Sequence, residues 1–337
     1  MDVIERGEGQ LLAWHDPDEQ RAWIRKNKSR KMTDKRMDIK TAVSKFVLDG
    51  DYLASGGFGH VRVSMAGVYE IIRQRKRNLT LAGKTAVHDC DVLVGSGCVN
   101  QVEVAYSFGH ELRGLSPASR RMVESGRVKA VTETSNAGFQ WRLKAAAMGL
   151  PFLPARGLLG TDTFKKSSGL AVSDPFSGKR IALLPACYPD VAFIHVHRCD
   201  EYGNSQIDGI SVMDIDLARA AKRLVVTTEK LVDNETIRND SCRTVIPFYC
   251  VDAVVEVPFG SHPGNMPFLY YSDEEHIAEW LKLSKTDEGA KEYFDKYVFG
   301  VRDFGEYLEL VGGAKKMKKL ADIEMLRAPP EAPWAEG

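Results

Sequence analysis

The sequence of 337 residues contains no long hydrophobic run and no excess of charge of either sign. Its most apolar stretch, 181–196, is interrupted by Pro185, Pro189 and Asp190. It falls short of the roughly 20 apolar residues that a membrane-spanning helix needs. Lys and Arg number 46, and so do Asp and Glu, so no chain-wide positive field is present to hold a nucleic acid. We therefore expect no membrane partner and no nucleic-acid partner.

The sequence also lacks the patterns of secreted and disulfide-stapled proteins. The first ten residues are charged and contain no apolar core of a signal peptide. None of the six cysteines forms a C-x-x-C pair, and a chain of this length needs no disulfide to complete its core. We therefore predict reduced thiols in a cytoplasmic protein.

Two common phosphate-binding loops are absent as well. The densest glycine cluster, 55–59 (SGGFG), is followed by no Gly-Lys-Ser/Thr and does not match G-x-G-x-x-G. It does lie between a predicted strand and a predicted helix, where ligands bind in open α/β sheets and where glycines let backbone N–H groups approach an anion. On spacing alone, a tight turn without a ligand is an equally good explanation.

What the sequence does contain is an alternation of short apolar runs and amphipathic stretches from residue 38 onward. This pattern predicts an α/β fold with an open, mostly parallel sheet flanked by helices and with helical additions at the C-terminal end. The predicted strands are 52–58, 79–82, 91–94, 99–106, 128–132, 180–184, 191–196, 224–228 and 251–257. The predicted helices are 65–75, 117–126, 139–148, 213–223, 274–285, 289–299 and 304–311.

Composition divides the chain into three predicted parts. Residues 1–38 form a charged N-terminal extension, 39–320 the main domain, and 321–337 a tail that we expect to be disordered. The basic run 25–31 (RKNKSRK) favours a solvated helix face over a docking site for an acidic partner. The segment 165–178 is rich in Lys, Ser, Asp, Pro and Gly and predicts a surface excursion.

Collinear segments of the chain resemble the alpha-type chains of family I coenzyme A transferases, and most of all the alpha chain of glutaconate CoA-transferase. The resemblance runs from about residue 38 to about residue 320, and its specificity comes from the order of the segments. They are 49–59 (DGDYLASGGFG), 145–154 (AAAMGLPFLP), 190–195 (DVAFIH), 251–263 (VDAVVEVPFGSHP) and 297–299 (YVF).

This resemblance implies covalent catalysis shared between two chains. In the family, a glutamate in a Ser-Glu-x-Gly type motif of the beta subunit forms a glutamyl-CoA thioester as CoA moves from an acyl-CoA to a carboxylic acid. The present chain contains no such motif; the nearest segment, 133–138 (ETSNAG), has the wrong order. The resemblance therefore implies that the chain is an alpha subunit whose partner is a beta subunit, in a heterotetramer or hetero-octamer. It also implies a coenzyme A thioester as substrate and no permanently bound cofactor.

The resemblance places the substrate cleft of this chain at the glycine cluster. Gly56, Gly57, Phe58 and Gly59 are expected to supply backbone donors near the developing oxyanion. Arg62 matches an arginine expected in glutaconate-type chains, where it would suit an anionic acyl group; an exposed arginine without a site is the alternative. The usual signature continues to a proline where this chain has serine, so the preferred carboxylic acid does not transfer from the glutaconate enzyme.

Two further positions follow predicted strands and are candidates for the same cleft. Ser107, Phe108 and Gly109 either line the cleft or form an ordinary strand-end loop. Glu133 is a candidate base, because some relatives hydrolyse a ring-containing CoA thioester with a glutamate of their alpha chain; a solvated strand-end glutamate is the alternative. The resulting second hypothesis is a CoA-thioester hydrolase or ring-opening enzyme. A third is a non-catalytic ligand-sensing module, against which stands the lack of a basic helix-turn-helix segment.

The histidines do not predict a metal site. His195 and His197 alternate on one strand, yet no Asp, Glu or Cys stands near them at a ligand spacing. We interpret both as core histidines, and His262 as a structural loop residue beside the subunit interface. The sequence therefore predicts no metal in this chain.

Overall fold

Strands and helices alternate along most of the chain in the computed structural model, which describes residues 2–110 and 113–330. The strands are β1 Val3–Arg6, β2 Tyr52–Ser55, β3 Leu79–Lys84, β4 Val99–Ala105, β5 Lys129–Glu133, β6 Phe152–Ala155, β7 Leu170–Ser173, β8 Arg180–Pro185, β9 Val191–Cys199, β10 Ser205–Gln206, β11 Arg223–Leu231, β12 Thr244–Ile246 and β13 Ala253–Glu256. The helices are α1 Pro17–Asn27, α2 Ile39–Phe46, α3 Met65–Arg73, α4 His88–Gly95, α5 Pro117–Glu124, α6 Asn136–Met148, α7 Asp162–Lys165, α8 Asp214–Ala220, α9 Asn234–Asn239, α10 Glu274–Leu283, α11 Asp287–Phe294, α12 Phe304–Leu310 and α13 Gly313–Glu324.

The main sheet is mixed, and its central part is parallel, as predicted. Parallel pairs join β13, β11, β9, β2, β3, β4 and β5 in that spatial order. β10 pairs antiparallel with the carboxyl end of β9 and, on its other side, with β12. The central strands are apolar and buried along most of their length because helices cover both faces of a parallel sheet. The predicted α/β fold class is confirmed.

A second, four-stranded antiparallel sheet is not evident from the sequence pattern. Its strand order is β1-β7-β8-β6. The segment 165–178 therefore contains a strand, and the predicted surface excursion is wrong for this part. Ala171 and Val172 are buried there and pair with Ala182 and Ile181 of β8. The polar residues on either side of this short strand conceal it in the sequence.

One predicted strand is a helix. The apolar run 91–94 predicts a strand, but these residues lie within α4. Seven of the eight residues of this helix are buried, including Asp89 and Asp91, so the helix has no polar face to mark a helical period. A short buried helix and a short buried strand look alike in a sequence.

The C-terminal helices cover one face of the main sheet, as the amphipathic pattern predicts. An aromatic group holds them against α3: the hydroxyl groups of Tyr69 and Tyr293 lie 2.7 Å apart, and the rings of Tyr69 and Tyr307 pack edge to face. The chain passes through one turn of π-helix at Asp295–Phe299 before α12. None of the helices described combines the length and the apolar character that crossing a bilayer requires.

The N-terminal and C-terminal segments carry regular structure within the described residues. β1 pairs with β7, Lys28 at the end of α1 contacts residues 250 and 252, and α13 runs to Glu324. The division into 1–38, 39–320 and 321–337 stays a prediction. Residues 331–337 of the predicted disordered tail lie outside the described residues.

Candidate functional site

Two of the predicted site segments, the glycine loop and the loop of residues 107–109, meet at the carboxyl edge of the main sheet, because β2, β3 and β4 are parallel neighbours that end together. The N–H of Gly59, after β2, donates to the carbonyl of Thr85, after β3, at 3.0 Å. The Ser107 hydroxyl, after β4, donates to the carbonyl of Gly83. The topology thus brings the glycine loop and the loop of residues 107–109 to one place.

The glycine loop requires glycine for steric reasons. Gly57 and Gly59 have φ angles of +78° and +61°, which L side chains rarely adopt. A Cβ atom on Gly57 would lie 2.3 Å from the carbonyl oxygen of Val61. The loop turns back on itself there, and the N–H of Phe58 donates to that same carbonyl at 2.9 Å.

We expect Gly57→Ala to lower the free energy of unfolding by about 1–3 kcal/mol and to displace the loop. Gly50→Ala is the matched control, because Gly50 has a φ of +86° but open space around its Cβ position. Urea unfolding of both variants separates the backbone strain, which they share, from the collision, which only Gly57 has. Equal losses at the two positions would show that the collision has no effect.

The four backbone N–H groups of residues 56–59 all donate hydrogen bonds to acceptors within the chain. The N–H of Gly56 bonds to the carbonyl of Phe193 at 2.7 Å, and that of Gly57 bonds to Oδ1 of Asp214 at 2.9 Å. Those of Phe58 and Gly59 bond to backbone carbonyls. In this conformation the geometry does not support the predicted role of these groups as oxyanion donors.

Arg62 lies beneath the loop and does not face open space. Its side chain is fully buried, and its guanidinium is ion-paired with Asp214 at 2.6 Å. A second guanidinium nitrogen donates to the carbonyl of Ile210 at 2.7 Å. Arg62 is therefore not an exposed arginine, and its contact with a substrate carboxylate stays a prediction. Arg62 instead orients Asp214, which in turn accepts from Gly57.

Lys84 is a residue of the site that no motif of the sequence indicates. It ends β3, it is buried, and its Nζ donates to the carbonyl of Gly57 and lies 5.9 Å from the ring centre of Phe58. Burial lowers the pKa of Lys84 to about 8, against the opposing effect of Asp214 and Asp89. The Gly57 peptide is thus held on its N–H side by Asp214 and on its carbonyl side by Lys84.

The loop after β4 forms the wall of a small cavity of about 270 Å³. Ser107 and Gly109 line this cavity, together with the exposed side chains of Tyr106 and Leu115. Phe108 packs partly against the main core. The backbone of this loop is held by a hydrogen bond from the N–H of Ser116 to the carbonyl of Phe108 at 2.9 Å.

Three histidines gather behind the two loops. The ring centres of His60, His88 and His110 lie 5.3–6.1 Å apart, and none of their ring nitrogens has a hydrogen-bond partner in the described part of the chain. Burial lowers the pKa of His60 and His88 well below the usual histidine value. The cluster is not visible in the sequence because the three residues lie on different elements.

The remaining predicted residues lie apart from the loop. Glu133 ends β5, is partly exposed and is ion-paired with Lys166 at 3.2 Å. His195 is buried between Thr227 and Glu229, at 2.8 Å from each. His262 is likewise buried, bonded to Tyr307 and Asp273. Within residues 2–110 and 113–330, no group of three or more His, Cys, Asp or Glu side chains is arranged to hold a metal ion.

The fold and the site together define a class: an α/β chain whose carboxyl edge carries a tight glycine turn on a buried charged support. Residues 36–257 match the coenzyme A transferase family. The chain belongs to this family. The predicted family, fold class and enzyme class are confirmed.

Three relatives show the range of the family. The glutaconate CoA-transferase alpha-type chain of Acidaminococcus fermentans is 34% identical over 83% of this chain and 93% of its own length. The crystal structure of that glutaconate coenzyme A-transferase matches with a TM-score of 0.80 at 33% identity, over 85% of this chain and 95% of the matched chain. The corresponding chain of 3-oxoadipate CoA-transferase from Pseudomonas knackmussii is 33% identical over 83% of this chain and 99% of its own length. A cholesterol ring-cleaving hydrolase IpdA subunit of Rhodococcus jostii is 29% identical over 80% of this chain and 94% of its own length.

Proposed function

We propose that the chain is the alpha subunit of a heteromeric CoA-transferase that moves CoA from an acyl-CoA to a carboxylic acid. The observation that carries this proposal is the similarity, over most of both chains, to two relatives that are each named as one of the subunits of a CoA-transferase. The absence of a Ser-Glu-x-Gly motif from this chain supports a division of labour in which the nucleophile lies on a beta subunit.

The carboxyl edge is the surface that we assign to the beta subunit. Phe58, Tyr106 and Leu115 stand on the loops of the candidate site, and all three are exposed, Tyr106 to 67%. Exposed apolar side chains grouped beside a cleft are typical of a surface that another chain covers. Lys84 and Asp214 hold the glycine loop in place from within, so this chain supplies one preformed wall of a shared cleft.

The proposed reaction exchanges CoA through the glutamate of the beta subunit. The glutamate carboxylate attacks the thioester carbonyl and releases CoA thiolate, leaving a mixed anhydride. The thiolate then attacks the glutamyl carbonyl, which releases the first acid and leaves glutamyl-CoA. The second acid repeats the two steps in reverse, which yields the new acyl-CoA and the free glutamate. Covalent catalysis thereby replaces one difficult exchange with several easier ones.

The test of this proposal is reconstitution with a beta-type chain that carries the Ser-Glu-x-Gly motif. We expect the purified chain alone to transfer no CoA from acetyl-CoA to glutaconate or 3-oxoadipate, and the mixture of the two chains to do so with one of the acids tested. The readout is the new acyl-CoA, followed by chromatography. Transfer by the chain alone would place the nucleophile in this chain and contradict the proposal.

Glu133 supports a second candidate, the hydrolysis of a CoA thioester, because it is a partly exposed carboxylate at a strand end and one relative is named as a hydrolase subunit. Borohydride or hydroxylamine trapping separates the two reactions. A transferase incubated with acyl-CoA yields a trapped glutamyl derivative on the beta chain. A hydrolase yields free acid and CoA without it, and loses this activity in the Glu133→Gln variant.

A further inference from the structure

A cavity of about 530 Å³ lies at the opposite end of the sheet from the candidate site. Ala221 and Cys250 line it, and they shortly precede β11 and β13. It therefore opens at the amino edge of the parallel strands, whereas the glycine loop lies at the carboxyl edge. Ile24 and Arg30 form another wall, and both precede residue 36, where the family match begins. The family resemblance therefore assigns no function to this wall.

The N-terminal wall of the cavity is fixed to the main domain by buried lysines. Nζ of Lys28 donates to the carbonyl of Cys250 at 2.7 Å and is ion-paired with Asp252 at 3.1 Å, with a side chain that is only 6% exposed. Nζ of Lys35 donates to the carbonyl of Phe248 at 2.6 Å and lies 5.5 Å from the centre of its ring. The cavity therefore lies between two segments of the chain that these hydrogen bonds and this ion pair hold together.

Two arginines, Arg30 and Arg219, line the cavity, and neither forms an ion pair with a carboxylate of residues 2–110 or 113–330. Arg30 is exposed, and Arg219 on α8 donates from one guanidinium nitrogen to the carbonyl of Ile215 at 2.8 Å. Asp216, one turn away from Arg219, does not form an ion pair with it; burial raises the pKa of Asp216, and the nearby charge of Arg219 opposes that effect. Guanidinium groups in this state are suited to the oxygens of a phosphate.

The rest of the lining is suited to a flat ring. Ala147, Ala218 and Ala221 provide a floor of small aliphatic side chains. Tyr249 is 49% exposed and its ring packs edge to face against Phe248, with 5.7 Å between the ring centres. About half of the Tyr249 side chain is thus accessible, and a planar ring can stack on an accessible aromatic side chain.

We propose that this cavity binds a nucleoside phosphate, with the base on the alanine floor beside Tyr249 and the phosphates on Arg30 and Arg219. The volume lies within the roughly 300–1,000 Å³ of small-molecule sites. The site is separate from the proposed transfer site, and this chain alone supplies the residues that line it. CoA itself contains an adenosine phosphate, so the free nucleotide and the coenzyme are the two sources of this chemistry.

Calorimetric titration of the full chain with ADP, CoA and inorganic pyrophosphate tests the proposal. We expect ADP to bind at one site, and Arg30→Ala and Arg219→Ala each to weaken it about tenfold or more. Tyr249→Ala should weaken the binding of ADP but leave the binding of pyrophosphate unchanged. Lys26→Ala is the matched control, because it removes a positive charge from the same basic run without lining the cavity, and it should leave ADP binding intact.

The possible results distinguish free nucleotide from CoA as the ligand, and both from a cavity that binds no adenosine phosphate. Displacement of ADP by CoA that depends on the same arginines would support the shared adenosine phosphate as the ligand chemistry. Binding of CoA without any binding of ADP would show that the adenosine phosphate is not the part that the cavity recognises, and it would overturn the proposal. Absence of ADP binding at millimolar concentration, or equal weakening by Lys26→Ala and Arg30→Ala, would overturn it as well.

Discussion

Replacing Asp214 by alanine should lower the free energy of unfolding by about 3–5 kcal/mol, because it leaves the charge of Arg62 buried without a partner. Both side chains are fully buried, and a guanidinium nitrogen of Arg62 lies 2.6 Å from Oδ2 of Asp214. The same carboxylate accepts from the N–H of Gly57 at 2.9 Å, so the variant also removes the support of the glycine loop. Urea unfolding measures the stability.

Two further variants give this prediction its controls. Asp162→Ala removes an exposed carboxylate that pairs with Lys165 one turn away, and it should leave the stability nearly unchanged because solvent screens such a pair. The double variant R62M/D214L removes both buried charges, and we expect it to recover more than half of the loss. A loss at Asp214 no larger than that at Asp162 would contradict the assignment of a buried supporting pair.

Stability should fall steeply as the pH drops from about 6.5 towards 5. Burial lowers the pKa of His60 and His88 well below the usual value and that of His276 to about 3. Below pH 6.5 the unfolded chain takes up protons on these histidines while the folded chain does not, so the equilibrium shifts towards unfolding. Each histidine that stays neutral contributes up to about 2 kcal/mol to the loss at pH 5.

Urea unfolding at pH 7.5, 6.5, 5.5 and 5.0 measures this dependence. His88→Phe removes one buried titrating group and should flatten the curve by up to about 2 kcal/mol between pH 7.5 and 5.0. His15 is only partly buried, so His15→Asn should flatten the dependence of stability on pH less than His88→Phe does. A stability that does not change with pH, or a His88 variant with the slope of the parent chain, would contradict the prediction.

The central strands were predictable because their apolar runs are bounded by turn residues. The same reasoning failed for α4 and β7. In α4 the buried Asp89 and Asp91 leave no polar face, and the Ser119 and Trp280 side chains that satisfy Asp91 lie 28 and 189 residues away. In β7 a short strand is stabilised by pairing with β8 rather than by its own composition.

The candidate site, too, could be predicted from the sequence only in part. Glycine spacing between a strand and a helix predicts the turn at Gly57 and Gly59, and the family resemblance places the candidate site there. The partners of that loop do not, because Lys84 lies 27 residues from Gly57 and Asp214 lies 157 residues from it. The sequence presents Arg62 as a surface arginine near a site, and only its burial against Asp214 shows that it supports the loop.

The sequence by itself determined the family, the α/β class and the carboxyl-edge loop, since these depend on local periodicity, on turn residues and on collinear motifs. The tertiary structure alone decided which groups of that loop are already bonded, which charges are buried in pairs, and that the basic N-terminal run helps to enclose a cavity. The physical reason is the sequence separation of the contacts. Hydrogen bonds, ion pairs and cavities join residues that are distant in the chain, and a local sequence pattern does not show which distant residues meet.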